Sequence, residues 1–383
     1  MKKIEPYTGF EQGPIRPPSE SGSLLIRITR NCPWNRCTFC PVYKGTKFSL
    51  RPVEHVLKDI DQVHQYVKIL QDSQLKTRKF ASANLQLSAT NDGIDQQALY
   101  AAKNFIASGM KSIFLQDGNS LIIRPGDMIP ILQHLKKAFP SVERVTSYAR
   151  SHTIARIGDK DLRRIAEAGL NRIHIGMESG SDKVLKMVRK GTNRTTQILA
   201  GQKVKKAGME LSEYYMPGLG GRKLSQENAL ETADALNQIN PDFIRLRTLA
   251  LPNGTPLAEQ YEAGEFDKMG DVDTARELLL FLESLKDITS TVKSDHVLNL
   301  FTEVEGTFPE EKEKMVAPIQ EFLQLDPQDQ MVFCIGKRTR RLSKLEDLKD
   351  LSKHRFAEQM CADLGATTEN MDAIVDSIIK QFI

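Results

Sequence analysis

Short apolar runs alternate with amphipathic stretches along most of the chain. The runs are SLLIRITR from Ser23, KSIFLQ (111–116), ERVTSYA (143–149), NRIHIGM (171–177), ELSEYYM (210–216) and FIRLRTLAL (243–251). Each has strand length, carries branched or aromatic residues and is flanked by polar or glycine-containing segments, so each reads as a buried strand. Between them lie helical patterns at about 52–70, 94–108, 126–138, 159–168, 181–208 and 225–239, several closed by Gly109, Gly169 or Gly208 where a helix stop is expected. Strands joined by helical crossovers predict an α/β fold: a parallel (β/α)6 barrel, partial or nearly closed, rather than a sandwich.

Residues 1–21 are rich in Pro, Gly and Glu and read as an N-terminal extension, followed by the barrel at 22–290. Past residue 290 the alternation stops. SDHVLNLFTEVEGTFPEEKEKM reads as a C-terminal cap, and the rest of 291–383 as a charged, mostly helical tail containing GKRTRR (336–341). In such barrels chemistry gathers at the C-terminal strand ends. Those ends are QDGNS (116–120), YARSH (148–152), GMESGS (176–181), MPGLGG (216–221), LPNGTP (251–256) and the loop after the first strand.

Composition narrows the classes. A chain of 383 residues with 40% hydrophobic content can bury a large core, and a net charge of +4 implies neither a nucleic-acid nor a membrane partner. No signal-peptide pattern and no bilayer-length apolar run is present, and five cysteines are not a secreted disulfide framework. A cytoplasmic location is expected.

Three of those cysteines, Cys32, Cys37 and Cys40, share the stretch NCPWNRCTFC, while Cys334 and Cys361 stand far off in the tail and read as ordinary thiols. Zinc sites want four ligands, usually as two close pairs, so a CX4CX2C triplet suits zinc poorly. An iron–sulfur cluster held by three thiolates leaves one iron open to a substrate or cofactor. Packed core is a poor alternative for three cysteines interleaved with Pro33, Trp34 and Arg36.

The strand, the cysteine loop ending in Phe39–Cys40 and the glycine-rich strand ends resemble a radical S-adenosylmethionine (SAM) enzyme over about residues 22–290. HIGMESGSDKVLKMVRKGT resembles the branch that holds methylthiotransferases, oxygen-independent coproporphyrinogen oxidases and Elongator-type proteins. The loop departs by one residue from the usual CX3CX2C. The resemblance implies a [4Fe-4S] cluster on Cys32, Cys37 and Cys40, with SAM bound at its open iron and cleaved to a 5′-deoxyadenosyl radical that takes hydrogen from substrate. Residue by residue, it places Phe39 beside the cofactor and Asp117, Gly118 and Asn119 near the methionine amino group. Glu178 and Ser179 fall at the ribose, and Arg189 and Lys190 at the methionine carboxylate. Gly218 and Gly220 fall at adenine, with Leu249 to Leu251 flanking the ring. An electron donor such as flavodoxin or ferredoxin is implied. With only residues 1–21 ahead of the barrel a cobalamin domain is not expected, and two tail cysteines are too few for a typical auxiliary cluster.

Substrate residues are less defined. Tyr148, Arg150, His152, Tyr214, Arg245, Arg247, His296 and Asn299 are candidates to face the cavity, with Tyr148, Arg150, Arg247 and His296 foremost, and two interior arginines would suit an anionic substrate. Each also has a plain reading: turn glycines for 118, 218 and 220, a helix cap for Glu178, and a solvated helix end for Arg189 and Lys190. Two other classes stay open. One is an RNA-binding or RNA-modifying iron–sulfur protein using GKRTRR and Lys344, less favoured because EDLKDLS balances that charge. The other is a zinc protein completed by a histidine.

Overall fold

The computed structural model describes residues 5–76 and 95–381. They form two compact units: Met1–Pro33, Val42–His174 and Lys203–Glu210 make the first, and Trp34–Pro41, Ile175–Gln202 and Leu211–Ile383 the second. All six apolar runs contain the strands expected of them.

In the first unit β1 (Leu24–Arg27), β4 (Ser112–Gln116), β5 (Arg144–Tyr148) and the start of β6 (Arg172–Glu178) pair parallel in that order, with Leu24 opposite Ile113, Ile113 opposite Val145 and Thr146 opposite Arg172. A separate antiparallel pair, β2 (Thr29–Arg30) with β3 (Ser49–Leu50), closes the ends of the segment that carries the cysteines. Helices α1 (Val53–Lys76), α2 (Gln96–Ala107), α3 (Pro125–Ala138), α4 (Ser151–Arg156) and α5 (Asp159–Glu167) accompany these strands, α1 packing on both α2 and α3. The α2 start is set by Asp95, whose carboxylate accepts from Gln97 N and Ala98 N. Ile26, Ile60, Val63, Ala102, Phe105, Ile113 and Leu115 are fully or almost fully buried, and each large aliphatic or aromatic one contributes about 1.5–3 kcal/mol.

In the second unit the rest of β6 is followed by β7 (Glu210–Tyr215), β8 (Phe243–Leu246), β9 (Thr291–Lys293) and β10 (Gly306–Thr307), the last antiparallel to β9. Its helices are α6 (Asp182–Met187), α7 (Arg194–Lys206), α8 (Ser225–Ile239), α9 (Pro256–Glu262), α10 (Asp271–Ser284), α11 (Lys312–Gln324), α12 (Pro327–Arg338), α13 (Leu351–Asp363) and α14 (Met371–Ile379). The layer against β7 is tightly built: Tyr215 stacks on Phe281 of α10 at 4.1 Å between ring centroids, and α8 packs on α10. Among the described residues no pairing closes the strands, so the architecture is a mostly parallel α/β sheet with helices, a partial barrel.

Two expectations change. The parallel ladder continues past residue 290, because TVK at 291–293 pairs with β8, Ile244 opposite Val292. Three residues are too short for a readable alternation. The pattern at 181–208 is two helices, because Arg189 (φ 51) and Gly191 (φ 71) are left-handed and turn the chain. Gly191 carries that turn without steric cost; Arg189 does not.

Candidate functional site

Asp117, just past β4, is fully buried and left-handed (φ 84). Its carboxylate accepts from Arg27 Nε at 2.6 Å, Tyr43 Oη at 2.8 Å and Asn31 N at 3.3 Å. It therefore ties β1 to residues on either side of the cysteine loop. Burial, with Asp117 beside it, pushes the Tyr43 phenol far up, so Tyr43 stays a donor. Gly118 lies against the same group: a Cβ there would meet the Tyr43 ring at 3.4 Å and Cys32 Cβ at 3.5 Å. Asn119 is committed to α4, accepting from Arg150 N and donating to Thr153 Oγ1. The three residues expected near the methionine amino group are thus braced in the protein, with Asp117 serving the loop.

In the second unit the loop residues 34–41 dock on the end of α6. Thr38 N donates to Val188 O at 3.0 Å, Trp34 Nε1 donates to Arg189 O at 2.7 Å, and Leu257 N returns a bond to Thr38 O. Phe39 packs on the apolar cluster of Val184, Val188, Met216, Leu219, Leu249 and Leu251. Cys37 and Cys40 are half-buried, and no disulfide joins any of the five cysteines. Cys334 and Cys361 are buried, and burial raises their thiols, that of Cys361 to about 11.

Glu178 (φ 65) ends β6 and its carboxylate folds back over Gly176, where a Cβ would sit 2.3 Å from Glu178 Oε1. Lys190 Nζ donates to that oxygen at 2.9 Å and lies 5.8 Å from the Phe39 ring centroid. The structure separates the two expected cations: Lys190 reaches Glu178, while the Arg189 side chain is exposed and its carbonyl anchors Trp34. Ser179 is buried, its hydroxyl accepting from Ser181 N where α6 begins. Glu213 on β7 is fully buried, and neither carboxyl oxygen has a partner among the described residues. Burial and the neighbouring Glu178 hold it well above the carboxylate range.

The loop Met216–Gly221 is pinned by Glu277 of α10, which accepts from Gly218 N at 2.9 Å, Tyr215 Oη at 2.8 Å and Asn228 Nδ2 at 2.8 Å. Gly218 is left-handed (φ 87), and a Cβ on Gly220 would strike Leu224 O at 2.6 Å, so the first glycine is required by its backbone conformation and the second by close backbone approach.

The substrate candidates divide. Tyr148 packs edge-on to Phe114 at 5.5 Å, and Arg150 and the half-buried His152 stand at the start of α4, burial lowering the His152 imidazole. Tyr214 is opposite Arg245 in register. Arg245 is buried and held by Asp295 and Ser212 Oγ, while Arg247 is exposed. The expected pair of interior arginines is therefore absent, one already neutralised and the other at the surface. Asn299 is spent on Leu246 O and Thr248 N.

His296 is held down to about 4 by burial and by Arg247, and its Nδ1 accepts from Leu298 N. A histidine whose pKa is lower folded than unfolded binds fewer protons when folded, so its contribution is complete above about 6.5 and is lost as pH falls toward about 4. Urea unfolding at pH 7 and pH 5 is expected to show a larger stability loss in the wild type than in His296→Gln. Equal losses would place His296 in solvent.

Arg27, Tyr43, Trp34, Glu213 and Glu277 escaped the sequence reading. Trp34 had a signal, being the chain's one tryptophan and lying inside the cysteine triplet. Glu213 had one too, as an acid between Leu211 and the pair Tyr214 and Tyr215 in a run read as a buried strand.

The sequence matches the model of the Radical SAM superfamily over residues 90–234. The chain carries a radical SAM domain. It is similar to tRNA uridine(34) acetyltransferase of Methanocaldococcus infernus (strain DSM 11812 / JCM 15783 / ME), 24% identical over 151 residues, or 36% of this chain and 28% of that protein. The enzyme of the same name from Methanocaldococcus jannaschii (strain ATCC 43067 / DSM 2661 / JAL-1 / JCM 10045 / NBRC 100440) is 23% identical over 152 residues, 37% of this chain and 28% of the relative. The match thus spans little more than a quarter of these curated relatives. Among solved structures, Methanocaldococcus infernus Elp3 with an N-terminal deletion superposes with a TM-score of 0.41 at 17% identity, covering 51% of this chain and 52% of that one.

A radical SAM domain over residues 90–234 implies an enzyme with a [4Fe-4S] cluster and SAM as cofactors. The residues present suit both. Three cysteines outside any disulfide offer the thiolates, and an ammonium–carboxylate pair beside a buried carboxyl without a partner offers groups of both signs to a zwitterion. Among the described residues no three His, Cys, Asp or Glu side chains converge as around a single ion, so the ligand set rests on the composition of the loop.

Proposed function

We propose that Cys32, Cys37 and Cys40 hold the [4Fe-4S] cluster and that the Glu178–Lys190 pair receives SAM, Lys190 at the methionine carboxylate and Glu178 at the ribose hydroxyls. The observation that carries this reading is the 2.9 Å ion pair at the end of β6, beside the Phe39 ring of the cysteine loop. When bound, the cluster supplies the electron that cleaves SAM to methionine and a 5′-deoxyadenosyl radical. The chain's own groups do the rest. Lys190 and Glu178 pair with each other, and each has an oppositely polarised partner on SAM to take up instead. Phe39 and the Met216–Leu251 cluster supply an apolar wall that excludes water, and the Glu277-braced loop fixes the glycines where backbone meets adenine. An electron donor such as flavodoxin or ferredoxin supplies the reducing equivalent.

For the substrate, the relatives favour RNA: by name they act on uridine 34 of tRNA. The basic run GKRTRR is not what supports this, because Arg338 is buried against Asp271 and Leu298 O. Anaerobic assays of the reconstituted enzyme are expected to show 5′-deoxyadenosine formation that rises severalfold when tRNA is added. Formation that ignores tRNA but responds to a small-molecule fraction would remove RNA as the substrate. No 5′-deoxyadenosine under any condition, with cluster and SAM bound, would remove the reaction itself.

A further inference from the structure

The turn that carries Lys190 is held by the cysteine loop. Val188 O accepts from Thr38 N, and Arg189 O accepts from the Trp34 indole N–H at 2.7 Å. Gly191 is left without a side chain because the indole occupies its place: a Cβ there would lie 2.3 Å from Trp34 Cζ2 and 2.4 Å from Cε2. Arg36 lies over the same ring at 5.2 Å, and Asn35 is left-handed (φ 45), which turns the loop after Trp34. Lys190 thus stands between two residues, Arg189 and Gly191, whose left-handed backbones are each seated on Trp34. A left-handed arginine persists only where its surroundings over-determine it. Here the surroundings are two: the end of α6, where Arg189 N donates to Lys186 O at 3.1 Å and Lys190 N to Leu185 O at 2.9 Å, and residues 34–39, the stretch that holds Cys37.

We propose that Trp34 is a positioning residue that couples the cysteine loop to Lys190, so that the ordered loop sets the ammonium for the SAM carboxylate. This rests on the reading of Glu178 and Lys190 as the SAM-binding pair. The longer spacing between Cys32 and Cys37 then has a use: it houses a side chain that reaches from the cluster loop to the turn after α6. Cluster loading, by ordering the loop, raises SAM affinity through Trp34 without any contact between Trp34 and SAM.

The test titrates SAM into cluster-loaded chain, with iron per chain measured on the same samples. Trp34→Phe keeps ring packing and loses the N–H donor, and is expected to lower SAM affinity about fivefold at wild-type iron content. Gly191→Ala is expected to lower it at least as far and, in the cluster-free chain, to move the emission of Trp34 to longer wavelength; that emission is unambiguous because the chain has one tryptophan. In the Trp34→Ala background Gly191→Ala loses the clash and keeps only the left-handed strain of residue 191, so it should cost clearly less than it does beside the wild-type indole. Wild-type affinity in Trp34→Phe and Trp34→Ala, while Glu178→Gln and Lys190→Met lose it, would overturn the coupling alone. Wild-type affinity in Glu178→Gln and Lys190→Met would overturn the underlying reading, and the coupling with it. Iron loss in Trp34→Phe, or additive losses in the double variant, would also overturn the proposal, by placing the effect in the cluster ligands or in the strain of residue 191.

Discussion

Cys32→Ala, Cys37→Ala and Cys40→Ala are each expected to abolish the oxygen-sensitive [4Fe-4S] cluster of anaerobically reconstituted protein, together with all 5′-deoxyadenosine formation. The reason is the absence of spare ligands. A cluster already short of one thiolate by design has no protein ligand to lose, and the other two cysteines cannot substitute. Cys334 is fully buried and Cys361 nearly so, and both thiols are held protonated, the wrong state for binding iron. Cys334→Ala and Cys361→Ala should therefore retain full iron and sulfide. Iron analysis and visible absorption of the five variants side by side check this. Stoichiometric zinc without iron–sulfur absorption in the wild type would defeat the assignment, as would a single-cysteine variant that keeps its cluster.

The parts of the fold that were legible share one property: their signal is local. KSIFLQ declares a buried strand by its consecutive Ile, Phe and Leu, NRIHIGM by Ile173, Ile175 and Met177 at alternate positions, and Gly109 and Gly208 are left-handed where helices were expected to stop. The cysteine triplet was legible for the same reason. What escaped depends on partners far along the chain. The break in 181–208 turns on Arg189, a residue with good helix propensity; the end of α6 closes on it through Lys190 N to Leu185 O, and its carbonyl is anchored by Trp34, more than a hundred and fifty residues earlier. Likewise Asp117 beside Gly118 reads as turn chemistry, and only the fold brings Arg27, Tyr43 and Asn31 onto its carboxylate. The choice of Lys190 over Arg189 was equally out of reach, since adjacent residues point in different directions and the sequence does not say which one meets Glu178.

That distant organisation makes Asp117→Ala the substitution expected to cost the most stability. In the folded chain a buried carboxylate accepts from a guanidinium, a phenol and a backbone N–H, and the Arg27 side chain that it holds is itself only 12% exposed. Removing one member of a buried pair leaves the other charged and undersolvated, a loss of about 3–5 kcal/mol. Arg27 keeps Glu11 at 2.8 Å, which places the expected loss near the lower end, about 3 kcal/mol. Asp117→Asn keeps one acceptor oxygen, for either Tyr43 or the Arg27 and Asn31 side, and gives up the charge, so a smaller loss of about 1.5–3 kcal/mol is expected. Tyr43→Phe removes one neutral donor and should cost about 1 kcal/mol. The order of the three variants is the decisive quantity, because a carboxylate that acted as a SAM ligand and carried no structural load would give wild-type unfolding midpoints in all of them. Urea unfolding of the cluster-free chain, followed by circular dichroism, measures it without any cofactor. Midpoints for Asp117→Ala within experimental error of the wild type would show that water, rather than Asp117, carries the Arg27 charge.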